Sequence, residues 1–513
     1  VTITSLGHAG FLIETEGDII LCDPWLDPAG AYAASWFPLP SNEAIEAAGL
    51  ERATILYISH WHRDHLDEWF LNSRSEKFKN EVRVIIPNFK YKILFETIKN
   101  CGYRNIEECR SFDTIETASG AKLSIVFDSI PLFVDSALLV SADGKIFLNE
   151  NDCKLSIADE EEIVRRFGAV DIFAAQFSGA TFHPTCYDYD EEKKSAISTS
   201  RRRAKFERIV SSIERLNASY YIPSAGPACF LSGDLYHLNL NPATVFSTAD
   251  DFRDYITSHH PTLLPRVAEL HPNEKIILGQ HHTEFFRDHT ITISQEYLEH
   301  YAKRKSNVIA DTIERYRLPI GDILADAKDH FRSLYQLHPP LGELANVDLE
   351  IQLTGESGGS FWMNTASGEI SDLPIARANQ QYKLGLDAFW MRAIIARRIS
   401  WEDFILSFRF SLSRTPDIYN EAIVAFLHLE TKEEREDYVA YHSFQNSDVH
   451  ERIIREYQGT TYELDRYCPH NGEDLTCAEI TDGILTCPRH FWQFSIADGN
   501  GVNNPASIHC IRI

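Results

Sequence analysis

Apolar and polar positions alternate weakly from 2 to 14, and Gly17-Asp18 then breaks the pattern as a hairpin turn does. Ile19–Cys22 is a short apolar strand that runs into Asp23-Pro24-Trp25-Leu26. Ser41 and Asn42 suit the cap of a helix over 43–49. Residues 53–58 are apolar with polar residues on both sides, the mark of a buried strand. The same reading gives strands at 81–86, 121–127, 136–140, 145–148, 170–177 and 219–223, and helices at 89–100, 158–167 and 191–216. From 295 to 337, Glu, Arg, Lys and Leu recur at helical spacing, interrupted by Pro319, and Pro339-Pro340-Leu341-Gly342 marks a boundary. Residues 347–428 alternate strands, at 347–353 and 360–364, with helical pieces at 387–397 and 401–410. A charged linker is expected over 431–436.

Length and charge narrow the picture. A chain of 513 residues exceeds a single core. The divisions above give 1–294, a helical linker 295–341, an α+β module 342–430 and a small all-β domain 431–513. No run of eighteen apolar residues occurs, so no membrane span is expected, and the strand-like start gives no sign of a signal peptide. A net charge of -26 repels phosphates and argues against a nucleic-acid partner. The ten cysteines are scattered rather than arranged as a disulfide framework, which fits a reducing cytoplasm. No phosphate loop or dinucleotide fingerprint is present.

Two motifs carry chemistry. Cys468-Pro469-His470 is followed after sixteen residues by Cys487-Pro488-Arg489-His490. Each half pairs a thiolate with an imidazole, so two cysteines can hold one iron of a [2Fe–2S] cluster and two histidines the other. Zinc also takes Cys and His at short spacing, but seldom with Pro inside both pairs and Cys leading each time. With Gly472, Leu475 and Phe491-Trp492-Gln493-Phe494 beside it, the pattern resembles Rieske domains. No Cys follows His470 closely and Arg489 fills the second loop, so the resemblance is to the ferredoxin and oxygenase type.

The second motif is His60-Trp61-His62-Arg63-Asp64-His65, directly after a buried strand. Three imidazoles and a carboxylate leaving one strand end suit zinc or iron, with His60 and His62 on one metal and Asp64 and His65 on another. Gly7-His8-Ala9, Asp23-Pro24, this motif and Asn149-Glu150-Asn151-Asp152 together resemble the metallo-β-lactamase superfamily, in its lactonase-like branch. The resemblance implies an αββα sandwich with metal at the shared sheet edge, Asp152 as a bridging ligand, and His8 and Asp23 orienting ligands. The family's third-motif His is absent, since Val126-Phe127-Asp128-Ser129 stands there, and its final His is replaced by Ile222-Pro223-Ser224-Ala225-Gly226-Pro227. Asp128 is the expected substitute for the first. His183, His237, His281 and His282 are candidates for the second, with the pair after the strand-like 275–278 ranked first and His281 chosen as ligand. The basic run Arg201-Arg202-Arg203-Ala204-Lys205 reads as a solvated helix face, and 342–430 weakly resembles sterol-carrier-like modules that here would serve as scaffold.

The module pair resembles the CMP-N-acetylneuraminate hydroxylases, in which the Rieske domain precedes the lactamase-like one. Zinc does not change oxidation state, so wiring a Rieske cluster to it achieves nothing, whereas iron can receive electrons. The expectation is a Rieske-type non-heme iron oxygenase with one or two irons. It would be loaded by a ferredoxin and its reductase or by a cytochrome, would act on a small organic substrate with dioxygen, and would form homo-oligomers where one chain cannot bring its sites together. The alternatives are a metal-dependent hydrolase of an ester, lactone or phosphodiester with the Rieske domain as redox sensor, zinc being the alternative metal, and a non-catalytic electron carrier.

Overall fold

Along the strand Ser136–Ala142, Leu138, Val140 and Ala142 enter one apolar core while Ala137 and Leu139 enter another. Period-two alternation with both faces apolar places a strand in the middle layer of a sandwich. Phe147 and Leu148 divide in the same way, as do Ile172 and Phe173, and Ile222 and Tyr221. The computed structural model describes residues 1–127, 135–280, 282–288, 291–445, 451–469, 473–487, 491–504 and 506–513. It divides into two compact units, Val1–Ala180 with Lys205–Thr312, and Thr181–Ala204 with Ile313–Ile513.

The first unit holds two sheets. One runs in the order Thr283–Phe286, Lys275–Leu278, Thr2–Gly7, Gly10–Glu14, Ile19–Cys22, Ile55–Tyr57, Arg83–Pro87, Ile106–Cys109. The other runs Tyr220–Ser224, Ile172–Gln176, Lys145–Asn151, Ser136–Ala142, Lys122–Phe127, Thr114–Glu116. The core between them joins Ile3, Ile13 and Leu56 of the first sheet to Ile125, Leu138 and Phe147 of the second. The helices Ile157–Phe167 and Ala249–His259 cover the outer face of the second sheet through Ile163, Phe252 and Ile256. The metallo-β-lactamase-type sandwich expected from the sequence is therefore present.

Direction decides where the site falls. Gly10–Glu14 pairs antiparallel with both of its neighbours, so Thr2–Gly7 and Ile19–Cys22 end at the same edge, and Ile55–Tyr57 runs parallel to the latter. Lys145–Asn151 ends beside the start of Ser136–Ala142, its antiparallel partner. His8, Asp23, the His60–His65 loop, Asp135 and Asp152 follow or precede these ends directly.

Several local expectations change. No helix forms over 43–49; a 3-10 turn occupies Ala47–Arg52. Asn42 instead turns inward and donates to the carbonyls of Leu6 (3.1 Å) and Trp25 (2.8 Å), tying the loop to two strand ends. The helix Gln295–Glu314, expected in a linker, packs on the first unit, where Lys305 donates to the Pro28 carbonyl (3.0 Å) and Tyr301 meets Phe37. The basic run is not wholly solvated, because Lys205 is buried and its ammonium donates to Gln176.

The second unit contains a five-stranded sheet, Ile370–Ser371, Gly359–Asn364, Asp348–Thr354, Gln381–Asp387, Phe410–Thr415. The segment 186–188 pairs with its edge, through Asp188 N–H to the Leu412 carbonyl and Leu412 N–H to the Cys186 carbonyl, 2.8 Å each. The charged stretch at 431–436 is not a linker. It opens the helix Lys432–Gln445, and Arg435 is fully buried with its guanidinium on the carbonyls of Leu429, Phe426 and Leu334. A buried cation stands there because helix ends leave carbonyls that need donors. Two three-stranded sheets follow, Arg452–Tyr457, Thr460–Asp465, Cys510–Arg512 and Glu479–Thr481, Ile484–Thr486, Gln493–Ser495. Cys468 and Cys487 lie in the core of this small all-β domain with Leu464, Leu485 and Trp492. Among the described residues no helix is long and apolar enough to cross a membrane.

Candidate metal centre

Three strand ends reach the centre through non-glycine residues in the left-handed region, His8 (φ 51°), Asp23 (φ 37°) and Asn151 (φ 43°). Such a conformation costs an L-residue about 1–2 kcal/mol, so its recurrence at one edge marks a functional constraint. The His8 carbonyl accepts from Ala225 N–H (3.0 Å), which fixes that turn against the second sheet.

Asp23 is buried and acts as a bracket. Its carboxylate accepts from Ser59 N–H (2.8 Å) and Ser59 Oγ (2.6 Å), and lies 2.9 Å from His65 Nδ1. That contact turns His65 Nε2 toward Asp152 Oδ1 (3.7 Å) and Asp64 Oδ2 (3.9 Å). Asp64 accepts from the Tyr32 hydroxyl at 2.6 Å, and its other oxygen lies 3.0 Å from His8 Nε2. The His loop closes tightly, with the His62 carbonyl accepting from His65 N–H (3.0 Å) and Leu66 N–H (2.7 Å). Just beyond it, Asp67 holds Leu26 N–H and Asp27 N–H at 2.7 Å each and caps the helix Glu68–Asn72.

Asp135 arrives through its neighbour. Ser136 Oγ donates to the Ser59 carbonyl (2.7 Å) and bonds the Tyr57 hydroxyl, and the Ser136 carbonyl accepts from Asn151 Nδ2 (2.8 Å). This network binds the start of one strand to the ends of two others. It leaves Asp135 Oδ1 3.6 Å from His60 Nε2.

The result is three overlapping groups, His60/His62/Asp135, His8/Asp64/His65 and His60/His65/Asp152, each with its ligand atoms within 4.8 Å of one another. His60 Nε2, His65 Nε2, Asp135 Oδ1 and Asp152 Oδ1 are buried with no hydrogen-bond partner. Buried imidazole nitrogens and carboxylate oxygens that face one another without a hydrogen bond are the expected lining of a cation site, so the residues present fit a metal. Burial alone would raise Asp64 and Asp152, but the surrounding histidines together, His65 with His8 and His62 at Asp64 and His65 with His60 at Asp152, outweigh it and hold both far below the usual carboxylate range. Burial and the neighbouring His65 push His60 down to about 4. Burial would also lower His65, but Asp152 and Asp64 overcome it and raise its pKa. Ionised carboxylates and a neutral His60 are the states a metal requires, and a cation would take the place of the His65 proton.

Of the ligands expected from sequence, His60, His62, Asp64, His65 and Asp152 converge. His8, expected to orient others, faces Asp64 directly and belongs to a ligand group itself. Asp128 and His281 lie outside the described residues. His282 is exposed and pairs with Glu284 (2.8 Å) and His237 is exposed, so neither joins the centre; His183 belongs to the second unit, where its ring meets Tyr187. Asp135 was not foreseen. Its signal was its position immediately before Ser136-Ala137-Leu138-Leu139, where a histidine was sought. In the Rieske-type region, Cys468 N–H donates to the Glu473 carbonyl and Cys487 N–H to the Trp492 carbonyl, 2.8 Å each, and His470 and His490 lie outside the described residues.

Because Asp23 holds the ring of His65, Asp23→Asn replaces one accepting oxygen by a donor. Loss of such an orienting partner costs about 10–100-fold in metal affinity. Competition with a chelator measures it, and an unchanged affinity would show that His65 needs no bracket.

A sandwich with imidazole and carboxylate ligands at the shared edge defines a metal-binding domain of the metallo-β-lactamase type. Comparison with known proteins is specific on both ends. Residues 2–117 match the β-lactamase superfamily domain and residues 429–511 the Rieske [2Fe-2S] domain, so this chain carries both. A Mycobacterium tuberculosis protein described as a Rieske 2Fe-2S iron-sulfur protein is 33% identical over 271 residues, 50% of this chain and 50% of that one. One from Mycolicibacterium smegmatis with the same description is 28% identical over 524 residues, 97% of each chain. The cytidine monophosphate-N-acetylneuraminic acid hydroxylase of Asterias rubens is 25% identical over 234 residues, 44% of this chain and 34% of that enzyme. The match thus spans about half the length of the tuberculosis relative and a third of the hydroxylase.

Proposed function

We propose that this chain is a non-heme iron oxygenase supplied with electrons by its own Rieske cluster. The observation that carries the reading is the repeated composition of the centre, two histidines and one carboxylate in each of three groups. That donor set with open positions suits iron that meets dioxygen. His60, His62 and Asp135 would hold one iron, His8, Asp64 and His65 a second, and Asp152 would be shared. Cys468 and Cys487 with His470 and His490 would hold the [2Fe–2S] cluster. Iron bound there would supply the activation of dioxygen for insertion into an organic substrate. The chain's own work is orientation. Asp23 fixes the His65 ring, the Tyr32 hydroxyl holds Asp64, and Ser136 ties Asp135 to the loop of His60. A ferredoxin with its reductase, or a cytochrome, would reload the cluster. The hydroxylase named among the relatives supports an oxygenase, and zinc, which takes up no electrons, would leave the Rieske domain without an acceptor.

Analysis of anaerobically purified protein for iron, zinc and labile sulfide tests this. The cluster alone accounts for about two irons and two sulfides per chain. Iron above that level with little zinc is expected. Iron at the cluster's level with zinc in addition would overturn the oxygenase in favour of a metal-dependent hydrolase.

A further inference from the structure

In the second unit, aromatic rings and cations gather where the segment 181–190 meets the strand Phe410–Thr415. The His183 ring stands perpendicular to Tyr187 at 4.9 Å, and Tyr187 stacks on Tyr189 at 5.2 Å. The Arg414 guanidinium lies over the rings of Tyr187 (4.8 Å) and Tyr419 (5.7 Å). Burial, then Arg201 and Arg414, push the pKa of His183 well down. The carboxylate of Asp417 is already taken, since it accepts from Arg414 Nε (2.7 Å), Lys193 Nζ (2.6 Å) and the Tyr189 hydroxyl (2.6 Å). Glu421, two residues past Tyr419, faces His442 instead (3.9 Å).

Two donors of this cluster are left over. Arg201 lies in the part of the helix Glu191–Arg215 that belongs to the second unit. It is half-buried, and its guanidinium makes no hydrogen bond or ion pair among the described residues. Burial draws its pKa down to about 10, and the ionisable groups that bear on it most are Tyr419, Tyr187, Arg414 and Tyr189, three hydroxyls and a second cation. The Tyr419 hydroxyl is also without a hydrogen bond among the described residues, and burial keeps it protonated, so it donates. Tyr419 is fixed in place, because its N–H donates to the Asn503 carbonyl (3.1 Å) and its ring packs on the core of the small all-β domain. A cation withdrawn from water without a counter-charge is costly, and an anion relieves the cost. The paired N–H groups of a guanidinium match the two oxygens of a carboxylate in one plane. A phosphate monoester, with three oxygens and nearly two charges, calls for more donors than one guanidinium and one hydroxyl.

We propose that Arg201 and the Tyr419 hydroxyl form a binding site for the carboxylate of a small organic acid. Both residues belong to the second unit, and the site does not depend on the oxygenase reading. Acetate and acetamide are nearly equal in shape and differ in charge, so they probe it directly. Saturation-transfer NMR on the oxidised, metal-loaded full chain should show transfer to acetate and none to acetamide. Arg201→Gln should weaken acetate binding by roughly 10- to 100-fold, the loss of charge-assisted hydrogen bonds, and Tyr419→Phe by roughly 3- to 10-fold, the loss of one hydroxyl donor. A metal also takes carboxylates, so the same titration is made on His62→Ala, where acetate binding should persist. Cluster absorption at the wild-type level confirms that each variant is folded. Acetate binding that is unchanged in Arg201→Gln, or abolished in His62→Ala, would overturn the proposal. Acetamide bound as well as acetate would overturn it too, as would inorganic phosphate bound more tightly than acetate through Arg201.

Discussion

Cys487→Ser erases the visible absorption of the cluster and takes reductant-driven turnover to background, while metal in the amino-terminal domain stays at its wild-type level. Cys487 is buried in the small carboxy-terminal core beside Leu485 and Trp492, and its backbone is pinned at both sides, by its own N–H on the Trp492 carbonyl and by Phe491 N–H on its carbonyl (3.0 Å). The exchange is almost isosteric, so the core and its turn survive. What is lost is the soft thiolate that an iron–sulfur cluster requires. Among the described residues, every candidate ligand of the other centre lies between His8 and Asp152. The two metal populations are thereby separable in one sample, by absorption and by metal analysis. A retained spectrum would remove Cys487 from the cluster. Simultaneous loss of the amino-terminal metal would show that the sites are not independent.

The parts of the fold that are written locally were legible. The His60–His65 motif, the paired Cys and His loops and the strand preceding Asp152 are each contiguous, and their chemistry follows from residue type and spacing. The alternation of 136–140 likewise names a strand. What was not legible depends on partners far along the chain. Asp135 lies at the centre because Ser136 bonds Ser59 and Tyr57, 77 and 79 residues away. Tyr32 reaches Asp64 from an aperiodic loop. Arg435 reads as part of a charged linker, since nothing nearby tells that three carbonyls surround it. The helix Gln295–Glu314 was read correctly as a helix. Its attachment to the first unit rests on Pro28 and Phe37, which periodicity cannot report.

Asp135→His converts the most informative departure of this centre back toward the family pattern, with three imidazoles in place of two and a carboxylate. The Asp135 side chain is 33% exposed, so the larger ring has room. A nitrogen-rich set suits zinc, and the carboxylate that favours iron is gone. The expected result is a variant that, loaded from equal iron and zinc, takes zinc at this centre and loses dioxygen-dependent turnover by more than about 100-fold, the upper end of the losses from outer-shell changes alone. Its Rieske cluster remains reducible, which separates the effect from misfolding. Asp135→Glu keeps a carboxylate and should keep iron. A histidine variant with unchanged iron and turnover would mean that Asp135 is not a ligand, and that the acid in the third-motif position is Asp128.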